Sequence, residues 1–157
     1  DKTIRNVVFY LQTLKTPIQR NQNDGQIIQG KNIFIQTGCE GCHKQTLQTS
    51  FSTTAPLSNK IFHPYTDLLL HDMGPVLDDG YTEGSAKTNE WRTPPLWGLG
   101  LSPNSQGGQY FLLHDGRAKS IEEAILLHGG EATTSKNKFS LLSSADKQAL
   151  LKFLESL

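Results

Sequence analysis

The chain has 157 residues, a formal net charge of zero and an apolar share of 36%. That length fits one compact domain, and a balanced charge leaves no electrostatic footprint for nucleic acid or an anionic membrane surface. No apolar run approaches the ~18 residues of a membrane span; the stretch Leu68-Leu69-Leu70 is far too short.

Residues about 2–14 read as a helix, with Ile4, Val7, Val8, Leu11 and Leu14 on one face, and Pro17 ends it. The chain opens on polar Asp1-Lys2-Thr3 and is helical almost at once. That opening favours a piece of a longer chain over a trimmed leader, and residues about 1–20 read as a linker helix from a preceding domain. Asp24 is a candidate cap for a second helix, about 25–37, in which Ile27, Ile28, Phe34 and Ile35 recur and Gly30 permits close backbone approach. Gly38 breaks it.

Directly after that break comes Cys39-Glu40-Gly41-Cys42-His43. C-x-x-C-H is the attachment signature of a c-type haem. Two thiols three residues apart match the two vinyl groups along one porphyrin edge, and the adjacent histidine reaches beneath the ring to give iron a nitrogen ligand. Cys39 and Cys42 are the only cysteines, so haem attachment leaves no thiol for a disulfide. A thioredoxin-like C-x-x-C would sit in a βαβ pattern, and a zinc site would need two more regularly spaced ligands; neither pattern is visible. One covalent haem c is the expected cofactor, and since such haem is attached outside the cytoplasm, a periplasmic or otherwise extracytoplasmic location follows.

Residues 44–118 hold every proline except Pro17 and show little periodicity. A structureless loop that long is unusual in a compact domain, unless it wraps a flat cofactor. Leu68-Leu69-Leu70 and Gln109-Tyr110-Phe111-Leu112 read as short strands or extended pieces. Asp78-Asp79-Gly80 has some calcium-like character, but two adjacent carboxylates without spaced partners read first as a solvated turn.

The pattern becomes regular again at Ser120-Ile121-Glu122-Glu123, a capping box. It opens a short helix through Ala124, Ile125, Leu126 and Leu127, stopping at His128-Gly129-Gly130, where glycine suits a left-handed C-cap. His128 therefore sits at the end of a short rigid helix, a good place for a ligand. Ser143 or Ser144 caps a last helix carrying Leu150, Leu151, Phe153, Leu154 and Leu157. The expected architecture is one mostly α domain over residues 1–157 with long irregular segments around a haem. A helix followed by C-x-x-C-H is the usual opening of a cytochrome c domain, in which first and last helices cross through a small residue such as Gly30.

Four strings are together very specific: Tyr65-Thr66-Asp67-Leu68-Leu69-Leu70-His71-Asp72-Met73-Gly74, Glu90-Trp91-Arg92-Thr93-Pro94-Pro95-Leu96-Trp97-Gly98, Leu113-His114-Asp115-Gly116-Arg117-Ala118 and His128-Gly129-Gly130-Glu131-Ala132. They resemble the C-terminal haem domain of the bacterial di-haem oxidoreductases, sometimes labelled thiol oxidoreductases. That group resembles a branch of the superfamily holding di-haem cytochrome c peroxidases and the methylamine-utilisation haem enzyme. The likeness runs from about Tyr10 to Leu157 and implies a cytochrome c-like fold. Family members carry two haems on two domains, whereas this sequence has a single C-x-x-C-H. In the peroxidases the C-terminal haem relays electrons while peroxide reacts at the other, so the resemblance implies the relay half. The superfamily also often holds calcium between its domains, which makes calcium a candidate beside the haem.

The resemblance bears on the ligand opposite His43. In the superfamily it lies fourteen residues after the histidine of the His-Asp-Gly motif, as methionine in the peroxidases and tyrosine in the methylamine enzyme. Counting from His114 gives His128. Met73, the only methionine, is the alternative, since a thioether ligand is common in electron-transfer cytochromes; isoleucine usually holds its place in the superfamily, so packing against haem is its other reading. His71 and His114 read as hydrogen-bonding groups for propionates or backbone, and His63, before Pro64, reads as surface. Trp91, Trp97, Tyr65 and Phe111 are candidates to pack on the macrocycle, or else ordinary core aromatics. Arg92, and after it Arg117, are candidates to pair with the propionates, because a guanidinium fork matches a carboxylate.

Three functions compete on these residues. The first is single-electron transfer between a redox protein and a second haem domain, which needs a closed six-coordinate iron. The second is a peroxidase-like oxidoreductase, in which His128 or Met73 leaves the iron and His71 or His114 acts as acid or base. The third is a haem-based sensor module. Electron transfer ranks first.

Overall fold

The computed structural model describes residues 1–157. It contains six α-helices: α1 (Lys2–Gln12), α2 (Gly25–Thr37), α3 (Ser102–Ser105), α4 (Ile121–Leu127), α5 (Thr133–Ser140) and α6 (Ser144–Ser156). Two small antiparallel sheets pair β1 (Leu47–Gln48) with β2 (Ile61–Phe62), and β3 (Leu70–Asp72) with β4 (Glu90–Arg92). Only 45% of the chain is helical, so the expectation of a mostly α fold is corrected to a mixed one of helices and small sheets. The reason is local: the proline-rich middle forms two-stranded ladders and single 3-10 turns rather than one structureless wrap.

The framework is the crossing of α2 and α6. Asp24 caps α2, its Oδ1 accepting from the amides of Gln26 (2.8 Å) and Ile27 (3.3 Å), which satisfies two of the donors a helix start leaves orphaned. The second oxygen of the same carboxylate accepts from Lys152 Nζ at 2.8 Å, tying the start of α2 to α6. Ser143 caps α6 by accepting from the Asp146 amide. Where the helices cross, Gly30 leaves no space: a Cβ there would overlap the Ala149 carbonyl and lie 2.7 Å from Phe153 Cβ. This close approach lets Phe34 and Phe153 meet at 5.5 Å between ring centroids, with Tyr65 completing the aromatic cluster at 5.9 and 5.8 Å. Ile27, Ile33, Phe139, Leu150, Leu154 and Leu157 close the core around them.

Several elements depart from the sequence pattern. Helix α5 was not legible in Thr133-Thr134-Ser135-Lys136-Asn137-Lys138-Phe139-Ser140, because only Phe139 is apolar; that ring is nevertheless fully buried. Of the leucine run, only Leu70 enters a strand, facing Arg92 in the ladder. The expected extended piece around Gln109–Leu112 reduces to one bridge, the Leu112 amide donating to the Ala118 carbonyl at 2.9 Å. Helix α1 ends at Gln12 and buries none of its residues; Ile4, Val7, Val8, Leu11 and the following Leu14 all face solvent. No helix is long and apolar enough to cross a membrane.

The crossing gives a direct test. Gly30→Ala forces a methyl into the Ala149 carbonyl and should cost about 1–3 kcal/mol in urea unfolding. Gly25→Ala is the control, because a Cβ there meets nothing within 4 Å, and should change stability by less than about 0.5 kcal/mol. Equal effects at both positions would mean that the crossing is not tight.

Candidate cofactor site

Helix α2 delivers the C-x-x-C-H motif. Gly38, in the left-handed region at φ +89°, ends the helix, and residues Cys39–Gly41 make one tight turn. The Cys39 carbonyl accepts from the His43 amide at 3.0 Å, so the whole motif folds back on itself. Both thiols are free, and burial pushes both up from the ordinary cysteine value, so they stay neutral at pH 7.

The His43 ring is held by one bond, Nδ1–H donating to the Tyr65 carbonyl at 3.0 Å. Burial pushes its pKa down to about 4, so the imidazole is neutral, with an unprotonated Nε2 and its lone pair available. A backbone carbonyl on the far nitrogen is the usual device for orienting a metal-binding histidine and fixing its tautomer.

The carbonyl that does this belongs to a strained loop. Tyr65 and Leu68 have φ of +56° and +62°, conformations that cost bulky residues about 1–3 kcal/mol each. The surroundings over-determine them. Thr66, fully buried, donates its amide to the Lys44 carbonyl at 3.0 Å and its hydroxyl to the Thr93 carbonyl at 2.7 Å, and accepts from the Leu68 amide at 2.9 Å. The two inverted residues turn the Tyr65 carbonyl toward His43 and leave Asp67 pointing at His71.

His128 repeats the arrangement of His43. Ser120 caps α4 by accepting from the Glu123 amide at 3.0 Å, but the Glu123 carboxylate accepts from the Lys119 amide instead of closing the box on Ser120. The helix ends with His128 itself turning extended (φ −59°, ψ 138°), and the left-handed residue is Gly130 at φ +51°, one position later than a simple glycine cap would place it. Nδ1–H of His128 donates to the Ala124 carbonyl at 2.6 Å, again leaving Nε2 free, and burial lowers its pKa as well. A charge on His128 would act against a charge on His43, which adds to the effect of burial in keeping His43 neutral.

His71 is held differently. Nε2 lies 2.9 Å from Asp67 Oδ2 and Nδ1 lies 2.8 Å from Glu131 Oε2, with the Cys42 sulfur 3.5 Å away. Burial pulls its pKa down, but the hydrogen bonds and charges of Glu131 and Asp67 outweigh that and raise it. Both nitrogens are engaged with carboxylates, so this ring has no lone pair to offer iron.

The other sequence candidates lie around this centre. Met73 follows β3, half-buried, its amide donating to the Asn89 carbonyl at 2.9 Å. Trp91 donates from Nε1 to the Leu77 carbonyl at 2.7 Å and stacks on His114 at 4.6 Å between centroids. That pair lines an open cleft of about 660 Å³ together with Leu70, Tyr81 and Arg92. Trp97 packs on Phe62 at 5.8 Å, beside a second cleft lined by Thr46 and His63. Tyr65 turns its ring into the helical core, and Phe111 is exposed beneath Lys119. Arg92 is exposed, while Arg117 pairs with Asp115 and donates to the Val76 carbonyl at 2.7 Å. Exposed His63 shares a hydrogen bond of 2.9 Å with the Thr46 hydroxyl. Asp78 and Asp79 accept from the amides of Gly80 and Tyr81, as the side chains of turn residues do.

Sequence reasoning gave no role to Asp67, Glu131 or the carbonyls of Tyr65 and Ala124. Asp67 carried one signal, its spacing of four residues before His71.

The ionised triad makes the fold pH-dependent. Asp67 is lowered although burial opposes it, by hydrogen bonds from the Leu69 amide and His71; Glu131 is lowered first by His71 and then by the Asp72 amide. The imidazolium contribution is full below the unfolded histidine value and is lost as pH rises through the raised folded one. The carboxylate contribution is present above the unfolded carboxylate values and is lost as pH falls. The stability difference between wild type and His71→Gln, measured by urea unfolding, should therefore peak between roughly pH 4.3 and 6.5. A flat difference from pH 4 to 8 would remove the ionised triad.

A family model described as "Di-haem oxidoreductase, putative peroxidase" matches residues 1–157. No curated protein matches the chain. Among solved structures, hydrazine synthase of Kuenenia stuttgartiensis, pressurised with 20 bar xenon, is similar with a TM-score of 0.48 and 18% identity. The likeness covers 90% of this chain and 50% of that one, so the chain spans about half the length of that protein. The two cysteines and the two half-buried neutral imidazoles fit what a haem requires of its site, and the chain belongs to the di-haem oxidoreductase family, in which haem binding is implied.

Proposed function

We propose that this chain is a mono-haem c-type cytochrome domain that passes single electrons, and that it is the relay half of a larger di-haem oxidoreductase. Cys39 and Cys42 would bind the porphyrin covalently, with His43 and His128 as axial ligands to iron. The observation that carries this reading is the matched pair of imidazoles, each anchored through Nδ1 to a backbone carbonyl and each presenting a neutral Nε2. Bound haem supplies a one-electron iron couple.

The chain's own residues do the rest. Tyr65 and Ala124 fix the tautomers through their carbonyls, and burial keeps both rings in the neutral, ligating form. The carboxylates of Asp67 and Glu131 occupy His71, which leaves it unable to compete for the metal. A second imidazole is a stronger donor than a thioether and should hold the potential below that of a histidine–methionine site. If His43 and His128 both held the iron, they would leave substrate no position on it, which favours electron transfer over peroxide chemistry. The partner would be a redox protein or a second haem domain in the periplasm, since the family is di-haem and this sequence carries one C-x-x-C-H. Arg92, exposed beside Trp91 and His114, remains the candidate for the propionates, and Trp91 and Trp97 remain candidates to pack on the macrocycle.

Absorption spectra of the dithionite-reduced protein before and after carbon monoxide test the proposal. An unchanged spectrum means that both axial positions are held by the chain; a rapid shift means an open or labile face and gives the lead to a peroxidase-like oxidoreductase or a sensor. His128→Ala should convert ferric iron from low to high spin, and an unmoved spectrum would exclude His128. Met73→Leu should change little, and losing a methionine charge-transfer band on that substitution would reverse the assignment. Replacing Cys39 and Cys42 by serine should abolish covalent haem, and the fold with it.

A further inference from the structure

We propose that Glu131 is a positioning residue that braces the segment carrying His128 against the segment from Tyr65 to Gly74, whose Tyr65 carbonyl orients His43, and so sets the two imidazoles relative to each other. The inference rests on the reading of those histidines as axial ligands.

Helix α4 has only seven residues and ends at His128, whose backbone is already extended. The Ala124 carbonyl within α4 orients the ring, but two glycines follow, so α4 itself does not fix the course of the chain beyond it. The fixing comes from outside the helix. Gly129 and Gly130 are laid directly on the chain leaving β3. A Cβ on Gly129 would lie 2.7 Å from the Met73 carbonyl oxygen, and one on Gly130 would overlap the Asp72 carbonyl and lie 2.7 Å from the Gly74 amide. Gly74 answers in kind, since a Cβ there would come within 2.7 Å of the Gly130 amide. Two backbones this close leave room for no side chain, and the contact sits one residue after the ligand.

Glu131 locks that contact with both carboxylate oxygens. Oε1 accepts from the Asp72 amide at 2.9 Å, and Oε2 lies 2.8 Å from His71 Nδ1. The other nitrogen of His71 is held by Asp67 Oδ2 at 2.9 Å, and Asp67 stands two residues after Tyr65, whose carbonyl orients His43. A continuous path of bonded groups thus runs from His43 through Tyr65, Asp67 and His71 to Glu131, and by three residues of chain to His128. The carboxylate of Glu131 is half exposed, at 53%, so as a simple surface ion pair it would contribute little. Its two-point grip on a main-chain amide and an imidazole matters for placement.

The test uses the haem-loaded protein, with Glu131→Ala, Glu131→Gln and Asp67→Asn. Carbon monoxide should bind reduced Glu131→Ala at least about tenfold faster than wild type, as loss of a charged hydrogen bond at the ligand's tether allows. The ferric electron paramagnetic resonance g-values, which report how the two rings are set, should move as well. Glu131→Gln should fall between, because its amide oxygen still accepts from Asp72 while the ion pair to His71 is gone. Combined with Asp67→Asn, the effects should be less than additive, since both act through His71. A variant with lowered melting temperature but unmoved g-values and carbon monoxide rate overturns the proposal, leaving a surface ion pair. If Glu131→Ala fails to fold, Glu131→Gln and Asp67→Asn carry the same readouts. A wild-type protein that itself takes carbon monoxide rapidly overturns the ligation reading, and this inference with it, which is seen before any variant is made.

Discussion

The close crossing of α2 and α6 at Gly30 is the constraint on which the rest of the molecule depends. It brings two helix backbones together because one position lacks a Cβ, and it thereby creates the only large core in the chain. That core aims the C-terminus of α2, and with it Cys39, Cys42 and His43, at a fixed point. Phe34 packs on Phe153, sits 6.4 Å from the His43 ring, and shares Tyr65 with the core. The aromatic cluster is therefore both the hydrophobic centre and the floor beneath His43. Burial from that floor does chemical work, because it keeps the imidazole neutral and so able to ligate.

Around this framework the site is held by main-chain groups more than by side chains. Carbonyls of Tyr65 and Ala124 orient the two neutral histidines, and buried Thr66 pins the strained turn that presents the first of them. Positive φ at Tyr65 and Leu68 is unfavourable on its own and persists because several bonds depend on it. Strain of this kind is local stability given up for geometry. Where carboxylates do enter, at Asp67 and Glu131, they engage a third histidine and leave the two neutral ones alone.

Outside the core, the molecule keeps apolar surface that the chain itself does not cover. The face of α1 is exposed along its length, and Leu69 and Leu70, between Asp67 and His71, are likewise open. Exposed apolar patches of this kind mark sites of interaction or cofactor contact in monomeric domains.

Much of this was legible in the residues. The caps at Asp24, Ser120 and Ser143, the break at Gly38, the tight crossing at Gly30 and the C-x-x-C-H motif are local signals, each set by a few neighbouring residues, and each stands where the sequence placed it. What tertiary structure alone decided is of another kind. Helix α5 has one apolar residue and no periodicity, and it forms because Phe139 finds the core. The anchoring of His43 by Tyr65 and the grip of Glu131 on His71 and Asp72 join positions 22 and about 60 residues apart. No spacing rule announces such pairs, because a carbonyl has no residue identity and a carboxylate looks the same whether it faces water or a histidine. Local chemistry wrote the motif and its helices, and only the folded chain could bring His43 to the carbonyl that holds it.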